Sequence, residues 1–201
     1  MVTARQGGRT RWLRFGAVLG GGLVASGVLV MGISQGALAA SFTVSGTSFK
    51  ASADKMVGHG YAQYGSVDKS ADGKVHPVAV NAIGKASLDN FCQSVVIPGI
   101  PVLGDVSMRI TAGGAGGMKA DNLLLNAESL NGSLTLTNAE VGRDAGTLDK
   151  GPGKGQPGSF GIQADTVTVN NLKQTAWSTT ASTLQFNGMN LALYAGRNEC
   201  F

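Results

Sequence analysis

Residues Gly117-Met118-Lys119-Ala120-Asp121-Asn122-Leu123-Leu124-Leu125-Asn126-Ala127 and Gly161-Ile162-Gln163-Ala164-Asp165-Thr166-Val167-Thr168-Val169-Asn170-Asn171 read as two copies of one unit. Each runs Gly, apolar, polar, Ala-Asp, then polar and apolar residues up to Asn. The two starts, 117 and 161, set a period of 44 residues. An extended unit with a Gly entry and a repeated Ala-Asp step points to a repeated β architecture. It carries no chemical signature.

The flanking sequence has the same texture. Segment after segment alternates apolar residues with Asn, Thr, Ser or Asp, the mark of strands covered on one face. Helical periodicity is hard to find after residue 40. Glycine is abundant at 31 of 201 residues, while aromatics make up 6% and charged residues 14%. This mix is too apolar for disorder and lacks the collagen period. The expectation is a single all-β domain over residues 40–201, built from amphipathic antiparallel strands. Its sheet would be curved, a sandwich or solenoid-like.

Residues 1–39 have a different grammar. Arg5, Arg9, Arg11 and Arg14 precede an apolar run from Phe15 to Ile33, and Ala37-Leu38-Ala39 follows as a small-x-small cleavage site. That is a secretory signal peptide, with an uncleaved membrane anchor as the alternative. Both readings bring the chain to the membrane through this segment and put the later residues outside the cytoplasm, secreted or in the cell envelope. The segment also accounts for the excess charge. The whole chain has 16 basic and 12 acidic residues, and four of the basic ones lie before residue 40. The remainder is neutral and offers no general attraction to nucleic acid.

Along the domain, Ser41–Phe49 and Met56–Val67 read as strands, and Asp68–Lys74 as a hairpin turn ending in Asp72-Gly73. The turn imitates the start of a calcium loop, but Ala79 stands where that loop needs a carboxylate. Val75–Leu88 is a strand with a slip near Gly84. Val106–Thr111, Leu130–Val141, Thr179–Phe186 and Met189–Leu193 complete the set. Residues 146–160, rich in Gly, Pro and Lys, read as a surface loop or linker between the two copies. The segment lacks the Gly-Lys-Ser/Thr spacing of a phosphate-binding loop.

The most apolar part of the domain is Phe91–Leu103. Pro98, Gly99 and Pro101 stop it from forming a long helix or a central strand. It reads either as a buried crossing loop or as an apolar lip that touches lipid, with Val95, Val96, Ile97, Ile100, Val102 and Leu103 as the contacts. Cys92 and Cys200 are the two cysteines, and an even count outside the cytoplasm favours a disulfide.

Chemistry is hard to locate. The one Gly-x-Ser-x-Gly match, Gly32-Ile33-Ser34-Gln35-Gly36, falls in the signal segment rather than in a strand–turn–helix context. His59 and His76 lack the neighbours of a zinc site. No cofactor or metal is called for.

Several strings do resemble a known family. They are Gly60-Tyr61-Ala62-Gln63-Tyr64-Gly65, His76-Pro77-Val78-Ala79-Val80, Asn90-Phe91-Cys92-Gln93-Ser94-Val95, Glu140–Ala145 with Leu148–Pro152, Ala176–Ala181 and Glu199-Cys200-Phe201. Together they resemble a Streptomyces-type family of exported proteins that is a domain of unknown function. The resemblance implies export from an actinomycete, and some members carry the label cholesterol esterase. Three functions follow as expectations. The first is a non-enzymatic extracytoplasmic protein binding lipid, another apolar ligand or an envelope component. The second is a secreted esterase, with a serine such as Ser94 or Ser107 beside His59 or His76. The third is a structural, surface-interaction protein.

The signal-peptide reading predicts that the exported protein begins at Ala40. Sequencing its N-terminus checks this, and a start at Met1 in the membrane fraction would identify an anchor instead.

Overall fold

The structure is a computed structural model and describes residues 44–201. The signal segment, the Ala37–Ala39 cleavage site and residues 41–43 lie outside the described residues. The rest is nearly all antiparallel β: β1 (Phe49–Lys69), β2 (Val75–Asp89), β3 (Phe91–Ile100), β4 (Gly104–Ala112), β5 (Met118–Thr137), β6 (Glu140–Asp144), β7 (Phe160–Thr180), β8 (Thr183–Phe186) and β9 (Met189–Ala195). The one helical turn among the described residues is a short 3₁₀ segment, Ala145–Thr147.

The two repeat copies open β5 and β7, two of the three longest strands, which pair with each other. Most equivalent residues take equivalent places, with Lys119 exposed and Gln163 buried as the exception. Ala120 and Ala164 are buried, Asp121 and Asp165 are exposed, and Leu123, Leu125, Val167 and Val169 are buried. The sheet closes on itself: β1 pairs with β2 and β7, β2 pairs with β5, and β5 pairs with β7. Apolar side chains from all four strands fill this ring, including Met56, Tyr61, Ile83, Leu123, Val167 and Leu172.

Strict alternation fails at one level in every strand of the ring, and it fails together. His59-Gly60, Gly84-Lys85, Asp121-Asn122 and Asp165-Thr166 are each two successive residues outside the core. Alternation resumes beyond Lys85, Asn122 and Thr166, while Ala62 and Ala82 are buried on the outer side beneath residues 151–153. These pairs are in register. Gly60 stands opposite Gly84, between the His59–Lys85 and Tyr61–Ile83 pairs, and the row extends to Asn122 on one side and Asp165 on the other. Gly60 (φ 70°), Asn122 (φ 49°) and Asn138 (φ 52°) are left-handed. Gly and Asn are the residues that tolerate this conformation. A lone kink of this kind would be a bulge and would disrupt a ladder. A kink shared by all neighbours turns the whole sheet and keeps the register. The predicted slip near Gly84 is therefore part of a corner, and β1 and β2 stay paired straight across it. A second row runs through Asp54-Lys55, Asp89-Asn90 and Asn170-Asn171, with Asn90 and Asn171 left-handed.

Stepping across the first row from Asn122 through Gly84, Gly60 and Asp165 returns to Asn138, just past the end of β5 and sixteen residues further along the chain. Stagger sets strand tilt and ring size. With ordinary stagger four strands would enclose almost no core. With this stagger the strands wrap around the axis and leave room for one.

Two other expectations change. The predicted strand over 41–49 is not one in its described part: Val44 makes an isolated bridge to Ser70, and β1 begins at Phe49. Residues 146–160, expected as a surface loop or linker, pack down on the ring. Gly151, Gly153 and Gly155 face inward while Pro152 and Lys154 face out. A Cβ on Gly151 would lie 2.7 Å from the Ala62 nitrogen and 2.8 Å from the Ala82 carbonyl, so only glycine permits this approach. Gln163, fully buried, anchors the strap. Its Oε1 accepts from the Asp149 and Lys150 amides at 2.9 and 3.3 Å, and its Nε2 donates to Asp149 and Glu140. Lys150 Nζ reaches Asp165 at 2.8 Å. Hydrogen bonds from Lys150 and Asn138 hold the Asp165 carboxyl below its usual range.

Gly60→Ala places a Cβ at positive φ and 2.7 Å from the Lys150 carbonyl oxygen. It is expected to cost on the order of 2–3 kcal/mol. Gly65→Ala, with nothing within 4 Å, should change stability little. Denaturant unfolding of the two variants checks this, and equal effects would refute the corner argument.

Candidate functional site

β3, β4 and β9 leave the ring as a three-stranded wing. β3 is joined to β1 only over Phe49–Ser52, and β9 forms the free edge. The pairing assigns the two faces. On one lie Gln93, Val95 and Ile97 of β3, Val106, Met108 and Ile110 of β4, and Leu191 and Leu193 of β9. The other carries Cys92, Ser94 and Val96, then Ser107 and Arg109, then Ala192 and Tyr194.

The second face is covered by the C-terminal tail. The Cys92–Cys200 disulfide pins it, with Cα atoms 5.9 Å apart. The Cys200 amide donates to Ser94 Oγ at 3.0 Å. Ser107 Oγ donates to the Gly196 carbonyl at 2.7 Å and accepts from the Asn198 amide at 2.8 Å. Arg109 bonds Asn198 and lies over the Tyr194 ring. Lys50 pairs with Glu199 at 3.3 Å. Every buried polar group on this face has a partner in the tail, so the tail closes a polar surface rather than an apolar one.

The first face is largely open, although Val106 on it is buried. Its base joins the core through Phe91, which packs beside Phe186, and through buried Ala112. Further out Ile97, Met189, Leu191 and Leu193 are exposed, Leu193 at 65%. Val95, Met108 and Ile110 are half-buried among them.

Phe91–Leu103 is thus no buried crossing loop. It is β3 plus the turn that leads into β4. The prolines are tolerated because the pairing with β1 ends at Val95, and beyond it the outer edge of β3 is free. At the tip Val102 has φ 73° and is 105% exposed, with Leu103 exposed beside it. A β-branched residue in the left-handed region of a turn is a conformational outlier, since Gly or Asn is the usual choice.

The six predicted contact residues are therefore divided. Val95 and Ile97 stand on the open face, Ile100 begins the turn, Val102 and Leu103 form the tip, and Val96 is buried on the tail side. Met189, Leu191 and Leu193 were missed as surface residues. Their alternation reads the same whether the apolar side meets a core or water.

The serine–histidine pairings proposed from sequence are not formed. Ser94 and Ser107 are buried and held by tail backbone. His59 is exposed, and its Nδ1 lies 3.4 Å from Thr166 Oγ1. His76 stacks on Trp177 at 3.6 Å and reaches Ser70 Oγ at 3.1 Å. Ser70 is itself buried, and Asp72 bonds the serine instead of standing behind the histidine. A nucleophile, base and orienter require the reverse order. The cluster locks the β1–β2 turn, where a hydrogen bond from Lys74 holds the Asp72 carboxyl well below its usual range. Among the described residues no three His, Cys, Asp or Glu side chains are grouped to hold a metal.

Reducing the disulfide, or substituting Cys200→Ser, should free the tail and lower stability. Closing a loop of 108 residues is worth up to about 4–5 kcal/mol in the chain-entropy model. Melting with and without reductant measures the loss, and an unchanged melt would show that the tail is held without the bond.

A disulfide fits an oxidising, extracytoplasmic location. No helix among the described residues is long and apolar enough to cross a membrane. No curated protein and no solved structure matches the chain. A family model described as a family of unknown function (DUF6230) matches residues 45–201, the strand-built region with its disulfide, strap and wing, and the chain belongs to that family.

Proposed function

We propose that this protein is a non-enzymatic, exported protein of the cell envelope that docks on a lipid surface through its wing. The carrying observation is the asymmetry of β3–β4–β9. The polar face is sealed by the disulfide-pinned tail, and the apolar face is open and ends in Val102 and Leu103. Contiguous exposed apolar surface of this kind marks a binding surface.

Two further observations favour lipid on the outside of the fold over lipid within it. The cavity inside the ring is about 40 Å³, between Tyr61, Asn81, Leu130 and Gln174. That is room for a water molecule and far below the size of an acyl-chain pocket. The tip is also narrow and strained, a shape suited to insertion between headgroups. Export belongs to this proposal and is supported by the signal-like N-terminus; an actinomycete source rests on the family resemblance alone. The cholesterol esterase label receives no support from the positions of Ser94, Ser107, His59 and His76.

One observation favours a second reading, self-association. β9 is a free edge of seven residues with neither a charge nor a proline, the features that usually guard an edge against pairing.

Sedimentation with zwitterionic phosphatidylcholine vesicles tests the first reading. Wild type is expected to partition, and Leu191→Ser with Leu193→Ser to lower the partition coefficient at least about tenfold. No binding by wild type, with dimers in analytical ultracentrifugation, would replace the lipid reading with the self-association one.

A further inference from the structure

The outer surface of the ring holds a second site, independent of the wing. A groove of about 280 Å³ lies where β1, β2, β5 and β8 run side by side. Its lining is set by register. Val57, Ser87, Lys119 and Gln185 form one row across the four strands, and His59, Lys85, Asp121 and Thr183 form the next. Residues two apart on a strand share a face, so both rows point outward together.

The corner explains why the second row is there. Where two successive residues leave the core, one position is taken by Gly60, Gly84 or Asn122, and its neighbour is His59, Lys85 or Asp121. The backbone device that closes the ring therefore also displays a line of functional groups on rigid strands.

The charges in the groove are not internally matched. Lys85 stands opposite Asp121 and diagonal to Lys119, and His59 stands opposite Lys85. Diagonal neighbours lie within reach of one another's long side chains. Neither lysine makes an ion pair among the described residues, and neither do Lys55, Lys69, Lys154 and Lys173, whereas Lys50, Lys74 and Lys150 do. What sets Lys85 and Lys119 apart is that they line one groove together. Residues 40–201 carry no net charge, so these two ammonium groups, with Asp121 beside them, are a local feature and not part of a basic surface. Asp121, Ser87, Thr183 and Gln185 add hydroxyl-binding donors and acceptors along the same strip.

We infer that this groove binds a phosphorylated polyol, with Lys85 and Lys119 on the phosphate and Asp121 with Thr183 on the hydroxyls. Lysine is a point-charge partner for phosphate oxygens. A neighbouring carboxylate suits a ligand that brings hydroxyls as well as negative charge, and disfavours a bare polyanion. The ligand is either a soluble polyol phosphate or the same chemistry carried on a lipid headgroup.

The test is titration of the full-length chain with glycerol 3-phosphate at low salt, followed by amide chemical shifts. In parallel, vesicles of phosphatidylglycerol are compared with phosphatidylcholine. Saturable shifts at Lys85, Ser87, Lys119 and Thr183 with glycerol 3-phosphate would identify a soluble ligand. Selectivity for phosphatidylglycerol without such shifts would identify a headgroup. Lys85→Gln with Lys119→Gln is expected to weaken whichever binding is seen at least about tenfold, while the double Arg variant retains it, which separates charge loss from misfolding. Lys154→Gln, outside the groove, should have no effect. Absence of both signals, or equal weakening by Lys154→Gln, would overturn the inference.

Discussion

A kink made at the same level by every strand of the ring is the constraint on which the rest of this structure depends. A four-stranded sheet cannot close around a core unless its strands are strongly staggered and wrap around the axis. Wrapping requires corners, and a corner in one strand alone would leave its neighbours without partners. Here Gly60, Gly84, Asn122 and Asp165 stand in one row, so the strands turn together and the hydrogen-bonded ladder continues on both sides. The apolar residues shift phase at the row and stay inside the ring after it.

The strap and the tail solve the same problem by different means. Both cover sheet surface that would otherwise hold unpaired polar groups. The strap does so with inward glycines and one buried amide, Gln163, which satisfies two backbone N–H groups and two carboxylates. The tail does so with the buried hydroxyls of Ser94 and Ser107 and a covalent bond at Cys200. In each case a polar side chain in a strand, where an apolar one would be expected, marks the place where another segment docks. Gln174 is a contrast: its buried Oε1 has no hydrogen-bond partner among the described residues, and the side chain lines the small internal cavity.

The wing separates two roles of apolar residues. Phe91 and Ala112 belong to the core, while Ile97, Leu191 and Leu193 on the same face are open to solvent. Moving outward along one sheet, the same pattern passes from structural to available. The boundary lies near the end of the ring, because beyond it no second layer of described residues covers Leu191 and Leu193; only Val106 is buried there.

Much of this was legible in the chain itself. Alternation of apolar and polar residues dictates strands, since the side-chain period of a strand is two. The paired Ala-Asp units at 120–121 and 164–165 mark equivalent strands, and Asp72-Gly73 marks the first hairpin. Two cysteines after an export-like N-terminus mark a disulfide. These are local properties, carried by residues close in sequence. The corner rows, the ring and the open face were not legible. Gly60 and Asn122, 62 residues apart, look like ordinary turn residues until β2 aligns their strands, and Gly151 looks like linker until Ala62 and Ala82 come beneath it. Leu191 and Leu193 carry the pattern of a core strand, and only the absence of a layer over the wing leaves them exposed. Closure, register and coverage are relations between distant segments, and no local pattern encodes them.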